Sequence, residues 1–290
     1  MRNKQSKARC RAWVLFSAMA ASFFSIGAPA QSVDESLDQS YHEMYNLQFD
    51  EALKKADQAK MIDKSDPLPW MAEASAVLFR EFDRLHILNS EMFTSDERFA
   101  ARSAQNWDAA SKKQFEDALD TADKLAQQTL ARDKNNVKAL FALTITSGLR
   151  ADNAALIEKK NLTALSYTKT ANGYAERLLA RAPDYYDAYV ATGMGKYLIG
   201  GKSAPVRWVL RLGGLKGDQE EGLKELRLAA ERGHYLAPFA RILLAFDDLR
   251  HKNKVEARKK LVSLCEQFPN NAHFVEEMTK LDHPSAGTGQ

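Results

Sequence analysis

The stretch Ala171-x3-Ala175-x2-Leu178-x4-Pro183, followed by Tyr189-x3-Gly193, decides how this chain is read. Small and apolar residues three and four apart, closed by a proline, describe a helix that packs tightly on a neighbour and then stops. A second copy lies further on as Ala257-x3-Leu261-x2-Leu264-x4-Pro269. An earlier copy appears when Leu130-Ala131-Arg132 is set against Leu179-Ala180-Arg181. In that register Ala122 meets Ala171, Ala126 meets Ala175 and Ala139 meets Ala188. Recurrence in one register, each time ending at a turn, marks a stacked helix-turn-helix unit, and such stacks usually bind other molecules rather than transform them.

Close approach explains the residue types. Paired helices sit roughly 8–10 Å apart, and the near end of that range requires small side chains at the crossing. Ala171, Ala257 and Gly193 are expected at such crossings, with Leu178 and Leu264 filling the layer to the next hairpin. On this reading Ala171→Leu costs ~1–3 kcal/mol through overpacking.

Nearly every segment reads as helix, because apolar residues recur at three and four positions and alternation with period two is almost absent. Breaks carry stop and start signals, as at Asp66-Pro67, Asp133-Lys134-Asn135-Asn136, Ala182-Pro183-Asp184 and Phe268-Pro269-Asn270-Asn271. Helices are expected over 33–45, 49–61, from Pro69 through Leu78, and over 108–132, 137–150, 162–181, 185–199, 218–232, 236–250, 254–267 and 271–281. Simple succession pairs 108–132 with 137–150 and 162–181 with 185–199.

These residues resemble the tetratricopeptide repeat family, whose unit is a helix-turn-helix of about 34 residues. Trp70 and Tyr189 resemble its aromatic opener, and Ala74, Gly193 and Ala245 the small residue of its first helix. Ala171 and Ala257 resemble the alanine of its second helix, with Pro183 and Pro269 as terminators. The resemblance is densest over 150–281. It implies an all-α fold: a right-handed superhelical solenoid of about five hairpins plus a capping helix, with a protein or peptide partner held in the groove lined by the first helices.

Two insertions break the rhythm, over about 81–107 and 200–216, and both are expected between the first and second helix of a hairpin. The first mixes Phe82, Leu85, Ile87, Leu88, Met92, Phe93 and Phe99 with charges; short helices packing back on the stack are expected, with no assigned role. The second has glycine pairs at 200–201 and 213–214 around the apolar run 204–212. Within it a short helix is expected, with Arg207 and Arg211 on one side and Trp208, Val209 and Leu212 on the other. Two readings stand: a lid in the solenoid groove, or a surface for a membrane or lipid-like partner. Tyr185, Tyr186 and Tyr197 are the candidate groove residues for a peptide, through ring area and hydroxyl bonds.

The chain opens with Arg2, Lys4, Lys7, Arg9 and Arg11, then an apolar run from Ala12 to Ile26, then Ala28-Pro29-Ala30. The run is short of the roughly 20 residues a span needs, so a signal peptide cleaved after Ala30 is expected, with export to a bacterial periplasm or beyond. The full chain holds 41 basic and 38 acidic residues, for +3. The expected mature chain keeps 36 basic residues against 38, about −2, which removes any global electrostatic case for nucleic acid. Only Cys265 survives cleavage, so no intramolecular disulfide forms, and a half-buried bystander thiol is expected. The end of the chain, 282–290, reads as a disordered tail.

No catalytic constellation emerges. Gly200-Gly201-Lys202-Ser203 is not a phosphate loop, because Lys196 stands where the motif needs glycine and a helix precedes it. His42, His86, His234, His251, His273 and His283 form no metal-ligand spacing. The pairs Asp247-Asp248 and Glu220-Glu221 read as solvated helix faces. A non-enzymatic exported adaptor without a cofactor is the leading expectation. The alternative is a transport or envelope accessory using 204–212 against a membrane or a lipid-like solute.

Overall fold

Helix boundaries follow from side chains that satisfy the backbone at each end. In the computed structural model, which describes residues 32–94, 97, 101–201 and 217–282, every regular element among those residues is helical. The expected leader with its cleavage after Ala30, the insertion residues Arg207, Trp208, Val209, Arg211 and Leu212, and the tail from 283 lie outside the described residues. So does Phe99 of the first insertion.

The elements are α1 (Val33–Tyr45), α2 (Phe49–Ile62), α3 (Leu68–Arg84), the single turn α4 (Glu91–Thr94), α5 (Ala109–Arg132) and α6 (Val137–Asp152). After a π-helical turn (Asn153–Ile157) come α7 (Asn161–Arg181), α8 (Tyr189–Gly200), α9 (Gln219–Arg232), α10 (Ala237–Arg250), α11 (Lys254–Gln267) and α12 (Ala272–Asp282). Ser32, Asp108, Asn136, Asp218 and Asn253 each accept a backbone N–H of the first turn that follows, and so start α1, α5, α6, α9 and α11. Pro69 and Pro238 occupy the first turns of α3 and α10, where no N–H is needed.

Neighbours in sequence pack together. The tight pairs are α1 with α2, α3 with α5, α6 with α7, α8 with α9, and α10 with α11, and α12 rests on α11. This corrects the pairing by simple succession: 137–152 belongs with 161–181, not with 108–132. Both insertions therefore fall inside hairpins, and α1, α3, α6, α8 and α10 are the first helices.

The repeat residues are packing residues. Ala122, Ala126, Ala175, Leu178, Ala257 and Leu264 have no accessible surface, and Leu261 and Ala171 almost none, while Pro183 and Pro269 sit exposed in their turns. The closest approach is between α8 and α9. A Cβ added at Gly193 would lie 2.9 Å from Gly222 O, and one at Gly222 would lie 2.6 Å from Gly193 O. Farther along the pair, a Cβ at Gly217 would meet Gly200 N at 2.4 Å, so the chain leaves and re-enters the described fold at one point around 202–216. Ala171 differs from its repeat equivalents: it borders an internal cavity, so added volume there has somewhere to go. The overpacking expected for Ala171→Leu moves instead to Gly193 and Gly222.

The ends of the stack meet. Tyr45 of α1 donates its hydroxyl to Tyr235 O, and Asn271 Nδ2, just before α12, donates to Tyr45 O. Tyr41 and Tyr235 pack with ring centroids 5.0 Å apart, and Tyr45 packs on Phe268 at 5.3 Å. Asn270 N donates to Asn46 Oδ1. An open repeat array has contacts only between adjacent units; here the first hairpin also touches the last.

Candidate functional site

The interior left by this closure is apolar and lies among the first helices. A smaller cavity of about 140 Å³ is lined from all five of them, including Tyr41 and Met44 on α1, Phe79 on α3, Ile145 and Gly148 on α6, and Met194 on α8. The start of α10 adds Leu236 and Phe239. A larger cavity of about 230 Å³ adjoins it and shares Met44, Phe79, Asp152, Met194, Leu198 and Phe239. Ile242 and Phe246 of α10 extend its wall, and Phe274 and Glu277 of α12 close it. For scale, about 150 Å³ of such space lined by apolar side chains holds a benzene ring.

The first insertion, given no role from sequence, builds part of this wall. Ile87, Leu88 and Phe93 face the larger cavity, and Phe93 stacks on Phe246 at 5.1 Å. Ser90 donates its hydroxyl to the Glu277 carboxylate, and Arg84 donates to Asn106 O, so the segment is tied to α12 and to its own hairpin. Further on, Trp107 stacks on Phe115 and donates Nε1–H to Asn153 Oδ1 at 2.8 Å, while Gln105 N donates to Ile157 O. These contacts hold the π-helical turn that follows α6. Such turns, in which the bond Glu158 N to Asn153 O replaces the usual ladder, recur at functional sites.

Asp152, the last residue of α6 before that turn, borders both cavities. It has no hydrogen-bond or ion-pair partner among the described residues. Burial alone pushes its carboxyl up to about 7, because no positive group or donor offsets the lost hydration. Glu277 and one ring nitrogen of His273 are engaged, while His273 Nδ1 is buried without a hydrogen bond. Glu277 accepts from Ser90 and pairs with Lys280 at 2.8 Å, and His273 Nε2 lies 2.6 Å from Asp83 Oδ1. Burial raises the Tyr41 and Tyr45 hydroxyls, so both stay neutral. The Tyr41 hydroxyl is buried without a partner; the Ser75 hydroxyl on the same wall donates to Met71 O instead.

The tyrosines singled out from sequence lie elsewhere. Tyr185 packs on Phe141 at 4.9 Å, and Tyr186 stacks on Tyr189 while Arg232 sits 4.2 Å over its ring. Tyr197 donates to Asp247 Oδ1 at 2.7 Å, and burial followed by that bond pushes its hydroxyl up to about 12. None of the three borders the cavities. The Asp247-Asp248 pair is not a solvated face: Asp247 meets Tyr197 and His251, and Asp248 meets Lys260 at 2.6 Å, all with low exposure of the carboxylates. Cys265 is half-buried beside Met278, and burial raises its thiol.

Sequence reasoning passed over Met44, Phe79, Met194, Phe239 and Asp152. For the apolar residues of α8 and α10 a signal was present. In α8 and α10 apolar residues cover two faces, Gly193 and Ala245 on one and Met194, Leu198, Ile242 and Phe246 on another. A helix apolar on both sides is buried on both sides.

Among the described residues no three His, Cys, Asp or Glu side chains cluster to hold a metal ion, and no helix is long and apolar enough to cross a membrane. No protein-family model, curated protein or solved structure matches the chain.

Proposed function

We propose that this chain is a non-enzymatic, tetratricopeptide-like helical-repeat protein, wound right-handed, that binds a small apolar ligand between its first helices. One observation carries the proposal: the first helices of all five hairpins turn methionine, leucine and phenylalanine side chains toward a common interior that their own packing leaves unfilled. Interiors otherwise pack at crystal density, so unfilled apolar space forfeits dispersion contacts that a ligand supplies. The non-enzymatic reading is supported by the wall chemistry, where His273 and Glu277 are tied to structural partners and Asp152 has no hydrogen-bonded base or nucleophile beside it among the described residues.

Export after cleavage at Ala30 would place this function in a bacterial envelope, where a transport or accessory role suits a ligand of that kind. A membrane contact through 204–212 belongs to the same proposal and rests on the sequence alone. A peptide held in an open groove is the weaker of the two proposals. Its candidate tyrosines are occupied by Phe141, Arg232 and Asp247, and the ends of the stack meet across the interior.

Calorimetric titration of the mature chain with octanol tests the chamber. The expected result is one saturable site with a dissociation constant below about 1 mM, lost in Met194→Trp, which fills the space shared by both cavities. Equal binding by that variant, at unchanged melting temperature, contradicts the proposal.

A further inference from the structure

The two cavities meet at a charge. Asp152 borders both, immediately precedes the π-helical turn, and is the one acidic side chain of the wall without a protein partner among the described residues. No lysine or arginine lines either cavity among those residues. Glu277 is taken up by Ser90 and Lys280, and His273 pairs with Asp83 through Nε2, its buried Nδ1 having no hydrogen bond. Next along the smaller cavity, the buried Tyr41 hydroxyl also has no partner. Unpaired polar groups on a largely apolar wall are costly, and a ligand that pairs with them relieves that cost.

We propose that the ligand is an amphiphile with a short apolar body and a single cationic amine, and that Asp152 holds the amine where the two cavities adjoin. The inference rests on the chamber reading above and adds its chemical class. A partly buried carboxylate such as Asp152 pairs with an ammonium more strongly than one in open water does, because part of its desolvation cost falls on folding rather than on binding. The same carboxylate disfavours an acid ligand, since two buried like charges share one site without a counter-ion. Burial also fits the wall: the raised carboxyl pKa has desolvation as its cause, with no neighbouring cation competing for the position.

The test titrates octylamine, octanol and octanoate into the mature wild-type protein and into Asp152→Asn, above pH about 7, where Asp152 is ionised. The three probes share a body and differ in head. The expected order is octylamine tightest, by about tenfold or more over octanol, with octanoate weakest. In Asp152→Asn the octylamine-over-octanol preference is lost. Octanol binding with no amine preference, or a preference that survives Asp152→Asn, overturns the head-group assignment and leaves the chamber standing. No binding of any probe to a folded wild-type protein overturns both.

Discussion

At the scale of single residues, Asp152 sets the most specific expectation. In the folded protein its carboxyl keeps a proton up to about pH 7, whereas the unfolded chain releases it near 3.8. Between those values the native state binds more protons than the unfolded state, so unfolding becomes easier as pH rises. Urea unfolding across that window is therefore expected to show wild type losing stability with rising pH relative to Asp152→Asn, and parallel profiles would contradict it. The other titratable groups of the wall, Tyr41, Tyr45, His273 and Glu277, are present in both proteins and cancel in the comparison. Nothing in the local sequence marked Asp152. Its neighbours Met44, Phe79 and Phe239 come from three other helices, and its environment exists only once those helices are assembled.

At the scale of elements, most of the structure was legible. Caps such as Asn136 and Asp218, the first-turn prolines Pro69 and Pro238, and the turns at Asp66-Pro67 and Phe268-Pro269 fix helix ends through local hydrogen bonding, which sequence displays directly. Pairing was less legible, because α6 lies between α5 and α7 and touches both, and simple succession chose the wrong neighbour. The α8–α9 seam gives a sharp contrast between glycines. Gly222→Ala is expected to cost about 3 kcal/mol, since its Cβ would press on the backbone at Gly193 O and Tyr197 N. Gly173→Ala, with open space around it on the exposed side of α7, is expected to gain about 1 kcal/mol from helix propensity. Thermal unfolding of both variants checks the pair, and equal shifts would remove the close approach from the account.

At the scale of the whole molecule, the meeting of the ends changes the physics of a repeat protein. Terminal units of an open stack fray, since each has a neighbour on one side only. Here α1 is held by α2 and also by Tyr235, Phe268 and Asn271. Amide hydrogen exchange is therefore expected to protect α1 to within about 1 kcal/mol of the central α6, and fast exchange confined to α1 would show an open end. This closure was not legible in the sequence. It depends on the rotation accumulated over successive hairpins, and no single pair of residues encodes that. The same closure leaves a partly open apolar chamber along the inner faces, which is proposed to take a small apolar molecule. Methionine-methyl NMR of the protein during an octanol titration tests it most directly, because Met44 and Met194 border both cavities while Met61 is 71% exposed on the outside. The account predicts saturable shifts at Met44 and Met194 with Met61 unmoved. No shift at the two chamber methyls, or equal drift at all three, would contradict it.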